Sequence, residues 1–275
     1  MYVRANCKIN IGLRVVRKRE DGYHDLDSLF YPVYGLYDEL EIMPADEFSY
    51  EQEGLSVDCA PEDNLVVKCY RLMAAKYPPI GPIAIKLKKH IPFGAGLGGG
   101  SSDAAHTALA LNRLFGLGAT KQELVRIVRE LGADCPFFIY NVPCHAMGIG
   151  DILSPVDFPL EGKRLLMVKP DVFVSTKEAY SGIVPTNTPL TIDPTNLTPM
   201  VNDFETTVFA RHSELAAIKK RLLNAGALYA SMTGSGSTIF ALIEDDPEGR
   251  PNANLRALEE EFASMIIFND TLRER

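Results

Sequence analysis

The sequence predicts an α+β protein, on three observations. Segments with the two-residue period of strands and segments with the 3.6-residue period of helices are mixed along the chain without regular alternation, which favours α+β over a doubly wound sheet. A glycine-rich stretch, Gly94 to Gly100, lies between an alternating strand and an amphipathic helix rather than in a polar linker. A stretch with prolines and scattered charge, Ser154 to Gly162, separates two halves, residues 1–157 and 158–275. With 275 residues, each half can bury a core of its own.

Taken in order, Tyr2 to Val16 alternates around Ile9, Ile11 and Leu13 and reads as a strand with one buried face. Asp21-Gly22 marks a turn. Tyr23 to Tyr34 and Glu39 to Ile42 read as extended chain, so the first forty residues should be antiparallel strands. Asp46 to Ala60 is acidic and irregular, a loop with an edge strand. Asn64 caps a helix with Leu65, Cys69, Leu72 and Met73 on one face, and Tyr77-Pro78-Pro79 stops it. Ile83 to Leu87 alternates as a strand. After the glycine stretch, a helix runs to about Phe115 with Ala104, Ala105, Ala108, Leu111 and Phe115 inward. Ser101, Ser102 and Asp103 are candidate N-caps for it. Thr120 to Glu123 is a capping box opening a helix that Gly132 should stop.

In the second half, Leu165 to Val168 is a strand, and Ser175 to Glu178 is another capping box opening a short helix through Tyr180. Residues 184–199 are rich in Pro, Thr and Asn and should be loop. A helix near Glu214 to Leu223, a strand to Met232, the turn Thr233 to Ser237, a strand Ile239 to Ile243 and a last helix near Asn254 to Ala263 complete the chain.

Composition narrows the function. The chain is 46% hydrophobic and 23% charged, with a formal net charge of −8, so its field repels nucleic acid and anionic membrane. Any phosphate on a ligand must be held by local groups. The five cysteines are scattered with no Cys-x-x-Cys pair, which argues against a disulfide framework or zinc site and suits a reducing cytoplasm. The first residues lack the apolar run of a secretion signal, and no stretch approaches the ~20 apolar residues of a membrane span. His90, His106, His145 and His212 share no metal-ligand spacing, and no metal ligand is assigned. Lys86, Lys88 and Lys89 read as a solvated strand face.

The glycine stretch lets consecutive backbone N–H groups converge on one point and then delivers them to a helix N-terminus, an arrangement that holds phosphate. Gly94-x-Gly96-x-x-Gly99 matches the dinucleotide fingerprint formally, but the strand and acidic residue that should follow are missing. The ATPase loop also fails, because no Lys-Ser or Lys-Thr closes the run. Asp134, in Leu131-Gly-Ala-Asp-Cys-Pro-Phe-Phe138, reads on its own as a half-buried cap or a poised base. Lys8 reads from periodicity as an outward-facing lysine.

The full loop, Pro92-Phe93-Gly94-Ala95-Gly96-Leu97-Gly98-Gly99-Gly100-Ser101-Ser102-Asp103-Ala104-Ala105, resembles the phosphate loop of the GHMP kinase superfamily. Lys8-Ile-Asn10, Asp21-Gly-Tyr-His24, Leu131 to Phe138, Asn202-Asp-Phe-Glu205 and Thr233 to Ser237 extend the resemblance over nearly the whole chain. They resemble the branch whose acceptor is methylerythritol carrying a cytidyl diphosphate, on the non-mevalonate route to isoprenoid precursors. The resemblance implies a two-domain fold: an N-terminal α/β domain like the second domain of ribosomal protein S5, and a C-terminal ferredoxin-like domain. It implies an enzyme, an ATP- and Mg2+-dependent kinase, monomeric or homodimeric, that phosphorylates a 2-hydroxyl.

It further implies Lys8 and Asp134 as catalytic residues, Pro92 to Ser102 and Asn64 on ATP, and Asn10, Tyr23, His24 and Tyr180 on the acceptor. Tyr23 and Tyr180 would sandwich the cytosine, with His24 reading its edge, and Ser102 would face Mg2+. Departures from the family pattern are Asn6-Cys7 before the lysine, Tyr180 for a common phenylalanine, and Met147 and Asp151 for usual glutamates. The alternatives are a GHMP kinase for another small alcohol and an inactive nucleotide-binding homologue; the retained Lys8, Asp134 and loop argue against the latter.

Overall fold

The computed structural model describes residues 1–57, 59–244 and 253–273. Its first half carries strands β1 (Tyr2–Lys18), β2 (His24–Pro44) and β3 (Ser49–Gly54), helix α1 (Leu65–Lys76), strand β4 (Ile83–Lys89), helices α2 (Gly99–Leu114), α3 (Lys121–Arg129) and α4 (Cys135–Tyr140), and strands β5 (Cys144–Gly148) and β6 (Ile152–Pro155). The second half carries β7 (Lys163–Val168), α5 (Thr176–Tyr180), α6 (Phe204–Arg211), α7 (Ser213–Asn224), β8 (Tyr229–Met232), β9 (Ile239–Glu244), α8 (Ala253–Glu261) and β10 (Ile266–Thr271).

The strands form two sheets. The first runs β3-β4-β2-β5-β6, with β1 pairing β2 antiparallel. The two extended segments expected around residue 36 are one strand, β2, which pairs β1 along its length, β5 near its start and β4 near its end. The second sheet runs β10-β7-β9-β8, all antiparallel, in the chain order β-α-β-β-α-β of a ferredoxin-like domain.

Strand β1 is buried on both faces, not on one. Residues Ala5 to Leu13 are continuously buried. Cys7, Ile9 and Ile11 share an apolar cluster with Leu165, Met167 and Phe240 of the second sheet. The even-numbered residues Asn6, Lys8 and Asn10 are also buried, on the other face. Beyond them, Ala5, Phe30, Leu40 and Ile42 form a core with α1 to α4. The far face of the second sheet is covered by Val208, Leu215, Ile218, Leu222 and Leu258 from the C-terminal helices. A polar/apolar alternation marks two environments here, and the polar one is an interior site.

Local signals decide most boundaries. Asn64 caps α1 by accepting from Val66 N, and Thr120 and Glu123 form the reciprocal box of α3. At α5 only half of the expected box forms: Ser175 accepts from Glu178 N, while the Glu178 carboxylate pairs with His212 at 2.9 Å. Helix α3 ends at Arg129, and Gly132 is not left-handed. Helix α2 begins at Gly99, with left-handed Gly98 as N-cap and no side-chain cap. Ser101, Ser102 and Asp103 therefore lie inside its first turns rather than before it. The short helices α4 and α6 and the strand β10 have no counterpart in the sequence reading. At six to eight residues, periodicity has too few repeats to distinguish them.

Candidate active site

The glycine loop and Asp134 face one another across a cavity of about 640 Å³ that lies between the two halves. The first half contributes Lys8, Asn64, the loop and Asp134, and the second contributes Phe173, Tyr180 and Gly234.

The loop owes its shape to alternation. Gly94, Gly96 and Gly98 have φ of +63°, +77° and +70°, while Ala95 and Leu97 between them are not left-handed. Alternating left- and right-handed residues turn successive N–H groups to one side and make an anion-binding concavity. The first N–H groups of α2 have no partner inside their helix and extend it. Gly96 is required for a second reason: a Cβ there would overlap the Thr233 carbonyl. Ala95 and Leu97 are buried anchors, whereas Phe93 is 55% exposed at the cavity mouth.

Lys8 is the charged group on the polar face of β1. Its side chain is 4% exposed, correcting the outward orientation that periodicity suggests. Its ammonium donates to Asn10 Oδ1 at 2.6 Å and to Gly96 O at 3.1 Å, and lies 3.6 Å from Asp134 Oδ2. The Phe30 ring lies 5.1 Å below it. Asp134 occupies the N-cap position of α4 without making a cap hydrogen bond, so its carboxylate stays free to face the cavity. At 34% exposure it remains reachable from the cavity. Asn10 is held at both ends of its amide, donating to Ser28 Oγ at 2.9 Å while accepting from Lys8. The first strand, the loop and the start of α4 thus bring an ammonium, a carboxylate and a row of N–H groups to one place. That set can hold a polyphosphate, ionise a nearby hydroxyl and neutralise charge passing between them.

Two expectations need correction. Ser102 is fully buried, donates to Asn6 O at 2.6 Å and does not line the cavity. Helical geometry turns it inward, and its neighbour Ser101 lines the cavity instead. Tyr23 and Tyr180 do not form the two sides of a sandwich. Tyr23 is 62% exposed and lies outside the cavity lining, because the turn at Asp21 fixes its N–H at 3.0 Å from Asp21 Oδ1 and leaves the ring in solvent. His24 itself stacks on Tyr180, with centroids 4.8 Å apart and planes at 25°, and Phe204 meets Tyr180 edge-on at 4.7 Å. Burial, then the charge of Lys18, lowers the His24 pKa. Burial and the nearby Asp134 charge push the Tyr180 hydroxyl up to about 12. Asn64 lines the opposite end of the cavity while capping α1.

Several site residues were not assigned from sequence. Thr233 accepts from Asn10 N at 3.0 Å and donates to Gly96 O at 3.1 Å, so the second glycine turn docks on the first. Asn202 holds that turn by donating to Met232 O at 2.7 Å and Gly234 O at 2.9 Å. Asp203 ties the same segment to β1 through Arg14 at 2.9 Å and Val15 N at 2.8 Å. The Asn202 to Glu205 motif is therefore a brace. Lys89, expected on a solvated face, is 4% exposed and paired with Asp38 and Asp103. Its position beside the loop was the one available signal. Phe173, which packs against Gly94, offered none.

The family model "GHMP kinases N terminal domain" matches residues 64–142, and "GHMP kinases C terminal" matches residues 194–263. Proteins named 4-diphosphocytidyl-2-C-methyl-D-erythritol kinase are similar in sequence. That of Bacteroides thetaiotaomicron is 47% identical over 90% of this chain and 93% of its own. That of Parabacteroides distasonis is 47% identical over 87% and 90%. A crystal structure of 4-(cytidine 5'-diphospho)-2C-methyl-D-erythritol kinase superposes with a TM-score of 0.83 at 31% identity, covering 100% of both chains. A homoserine kinase from Cytophaga hutchinsonii shares the fold, with a TM-score of 0.69 at 22% identity over 98% of this chain and 93% of that one.

Proposed function

The chain belongs to the GHMP kinases and, among them, to the 4-diphosphocytidyl-2-C-methyl-D-erythritol kinases, and from that premise we propose that it transfers the γ-phosphoryl group of ATP to the 2-hydroxyl of 4-diphosphocytidyl-2-C-methyl-D-erythritol. The observation that carries the reading is the Lys8 ammonium, 3.6 Å from the Asp134 carboxylate and bonded to the loop at Gly96 O. Phosphoryl transfer needs positioning, charge neutralisation and a group to take the hydroxyl proton.

In this reading the loop N–H groups and Ser101 hold the phosphates of ATP, with Asn64 at the nucleoside end. Asp134 accepts the proton of the acceptor hydroxyl as its oxygen attacks the γ-phosphorus and the bridging oxygen leaves with ADP. Lys8 stabilises the alkoxide character of the attacking oxygen and the charge on the transferred group. Asn10 fixes the Lys8 ammonium. Tyr180, with His24 stacked on it, marks the cytosine end, where the base takes the face of Tyr180 that His24 covers. Aromatic stacking on a base is worth about 1–3 kcal/mol.

Mg2+ would arrive on the nucleotide phosphates and neutralise their charge, the usual way this ion is held in kinases. Among the described residues no three His, Cys, Asp or Glu side chains form a metal cluster. Among the oxygen donors lining the cavity, Ser101 and Asp134 stand beside the loop and suit an ion held mainly by phosphate. The division into residues 1–157 and 158–275 and a place in the cytoplasm belong to the same proposal. No helix of the described residues is long and apolar enough to cross a membrane.

A coupled assay of ADP release with ATP, Mg2+ and the cytidyl alcohol, run beside homoserine and mevalonate, tests the reading. Turnover confined to the cytidyl alcohol is the expected result. Equal turnover of all three alcohols, or of none, overturns it.

A further inference from the structure

At one end of the cavity is a buried charged cluster that none of these steps uses. Lys89 is the last residue of β4, just before the glycine loop, and Asp103 stands on α2 just after it. Asp38 comes from β2. The Lys89 ammonium is bonded to Asp38 Oδ2 and, at 2.7 Å, to Asp103 Oδ2. Asp38 Oδ1 accepts from His90 N at 2.6 Å and Ile91 N at 2.8 Å, the first two residues leading into the loop. The three side chains are 4%, 0% and 3% exposed. Among the described residues nothing donates to Asp103 Oδ1. Gly99 leaves room for the cluster: a Cβ there would lie 3.3 Å from Lys89 Nζ.

When both carboxylates are ionised, the cluster has a net negative charge beside a phosphate cradle, which opposes an anionic ligand. Buried ion clusters are also weak stabilisers compared with apolar packing. Their contribution here is geometric, because one ammonium spans the strand that feeds the loop and the helix that leaves it. We propose that Asp103 is a positioning residue for the nucleotide, holding Lys89 so that the two ends of the phosphate loop are fixed before ATP binds. This rests on the kinase reading above, because the loop is taken as the ATP site.

A charge consequence follows. The groups facing Asp103 are Lys89 from β4, Asp38 from β2 and Tyr50 from β3. Burial, only partly offset by Lys89, raises the Asp103 carboxyl above the usual carboxylate range. With Asp103 protonated the cluster is neutral; with Asp103 ionised it is negative and repels the phosphates. ATP affinity should therefore fall as rising pH ionises Asp103.

Calorimetric titration of ATP into the full chain at several pH values, with KM for both substrates, tests this on the wild type, Asp103→Asn and Asp103→Ala. Asp103→Ala should weaken ATP by about tenfold, the loss of one charge-assisted hydrogen bond, and leave the acceptor KM unchanged. Asp103→Asn, whose amide oxygen still accepts from Lys89, should bind ATP as the wild type does at low pH and lack its decline at high pH. The proposal is overturned if Asp103→Ala binds ATP normally or weakens both substrates alike, or if Asp103→Asn keeps the wild-type pH profile. Should Asp103→Ala fail to fold, the Asp103→Asn profile decides alone. Loss of the expected acceptor turnover in the wild type, with these ATP effects intact, would overturn the kinase substrate and leave Asp103 in its role.

Discussion

Lys8 and Asp134 show how one residue acquires chemistry from its neighbours. Lys8 sits between Cys7 and Ile9, both fully buried against the second sheet, so its own side chain is forced to the other face of β1. That face is closed by the loop and α4. The ammonium has Asn10, Gly96 O and Asp134 around it and an aromatic ring below. Asp134 is spared a capping role, which leaves its carboxylate unengaged by its own helix. Asp134→Asn keeps the shape and removes the base. Its kcat should fall by about 10²–10⁴-fold, the range for a positioned acid–base group, while calorimetry shows ATP binding retained. Near-normal kcat in that variant would remove Asp134 from the reaction. Both residues were legible as motifs, but their separation of 126 positions hid the 3.6 Å contact that gives them meaning.

Among the elements, the one that most constrains the site is the turn between β8 and β9. It lies on the loop through Thr233 Oγ1 and Gly96 O, and its own position depends on Asn202, whose amide donates to two of its carbonyls. Asn202 is 2% exposed, so removing its side chain leaves those carbonyls without their donor. Asn202→Ala should lower stability in a urea melt by about 1–3 kcal/mol for the unsatisfied groups. It should also raise the ATP KM, because the turn no longer braces Gly96. An unchanged melt would show that water replaces the amide. Both motifs are legible in the sequence only as glycine or polar signatures. Helix α6, which begins inside Asn202 to Glu205, is not legible there, since Phe204 to Arg211 is too short for its period to stand out.

For the whole molecule, β1 is the seam. Ile9 and Ile11 are fully buried with Met167, Phe240 and Leu242 in one apolar cluster that also takes Phe158 and Leu160 from the connection between the sheets. The proposed division at 157/158 therefore runs through packed side chains. Calorimetry should record a single unfolding transition, and Ile9→Ala should lower its midpoint by an amount equivalent to about 2–5 kcal/mol, the usual range for a buried aliphatic truncation. Two resolved transitions would show that the halves unfold separately. The formal charge of −8 gives the molecule no general attraction for a polyphosphate, so binding depends on the loop N–H groups and Lys8. Raising salt should therefore weaken ATP less than it would at an exposed basic patch.

The sequence by itself determined the α+β class, the strand and helix order of most elements, the glycine loop, and the caps at Asn64 and Thr120. Those are local properties: periodicity, backbone freedom and hydrogen-bonding side chains act within a few residues. Tertiary structure alone decided which face of β1 is a site, that Ser101 rather than Ser102 lines the cavity, that His24 stacks on Tyr180, and that Lys89 is buried between two carboxylates. Each depends on groups distant in sequence meeting at a few ångströms, where burial and charge change what a side chain does.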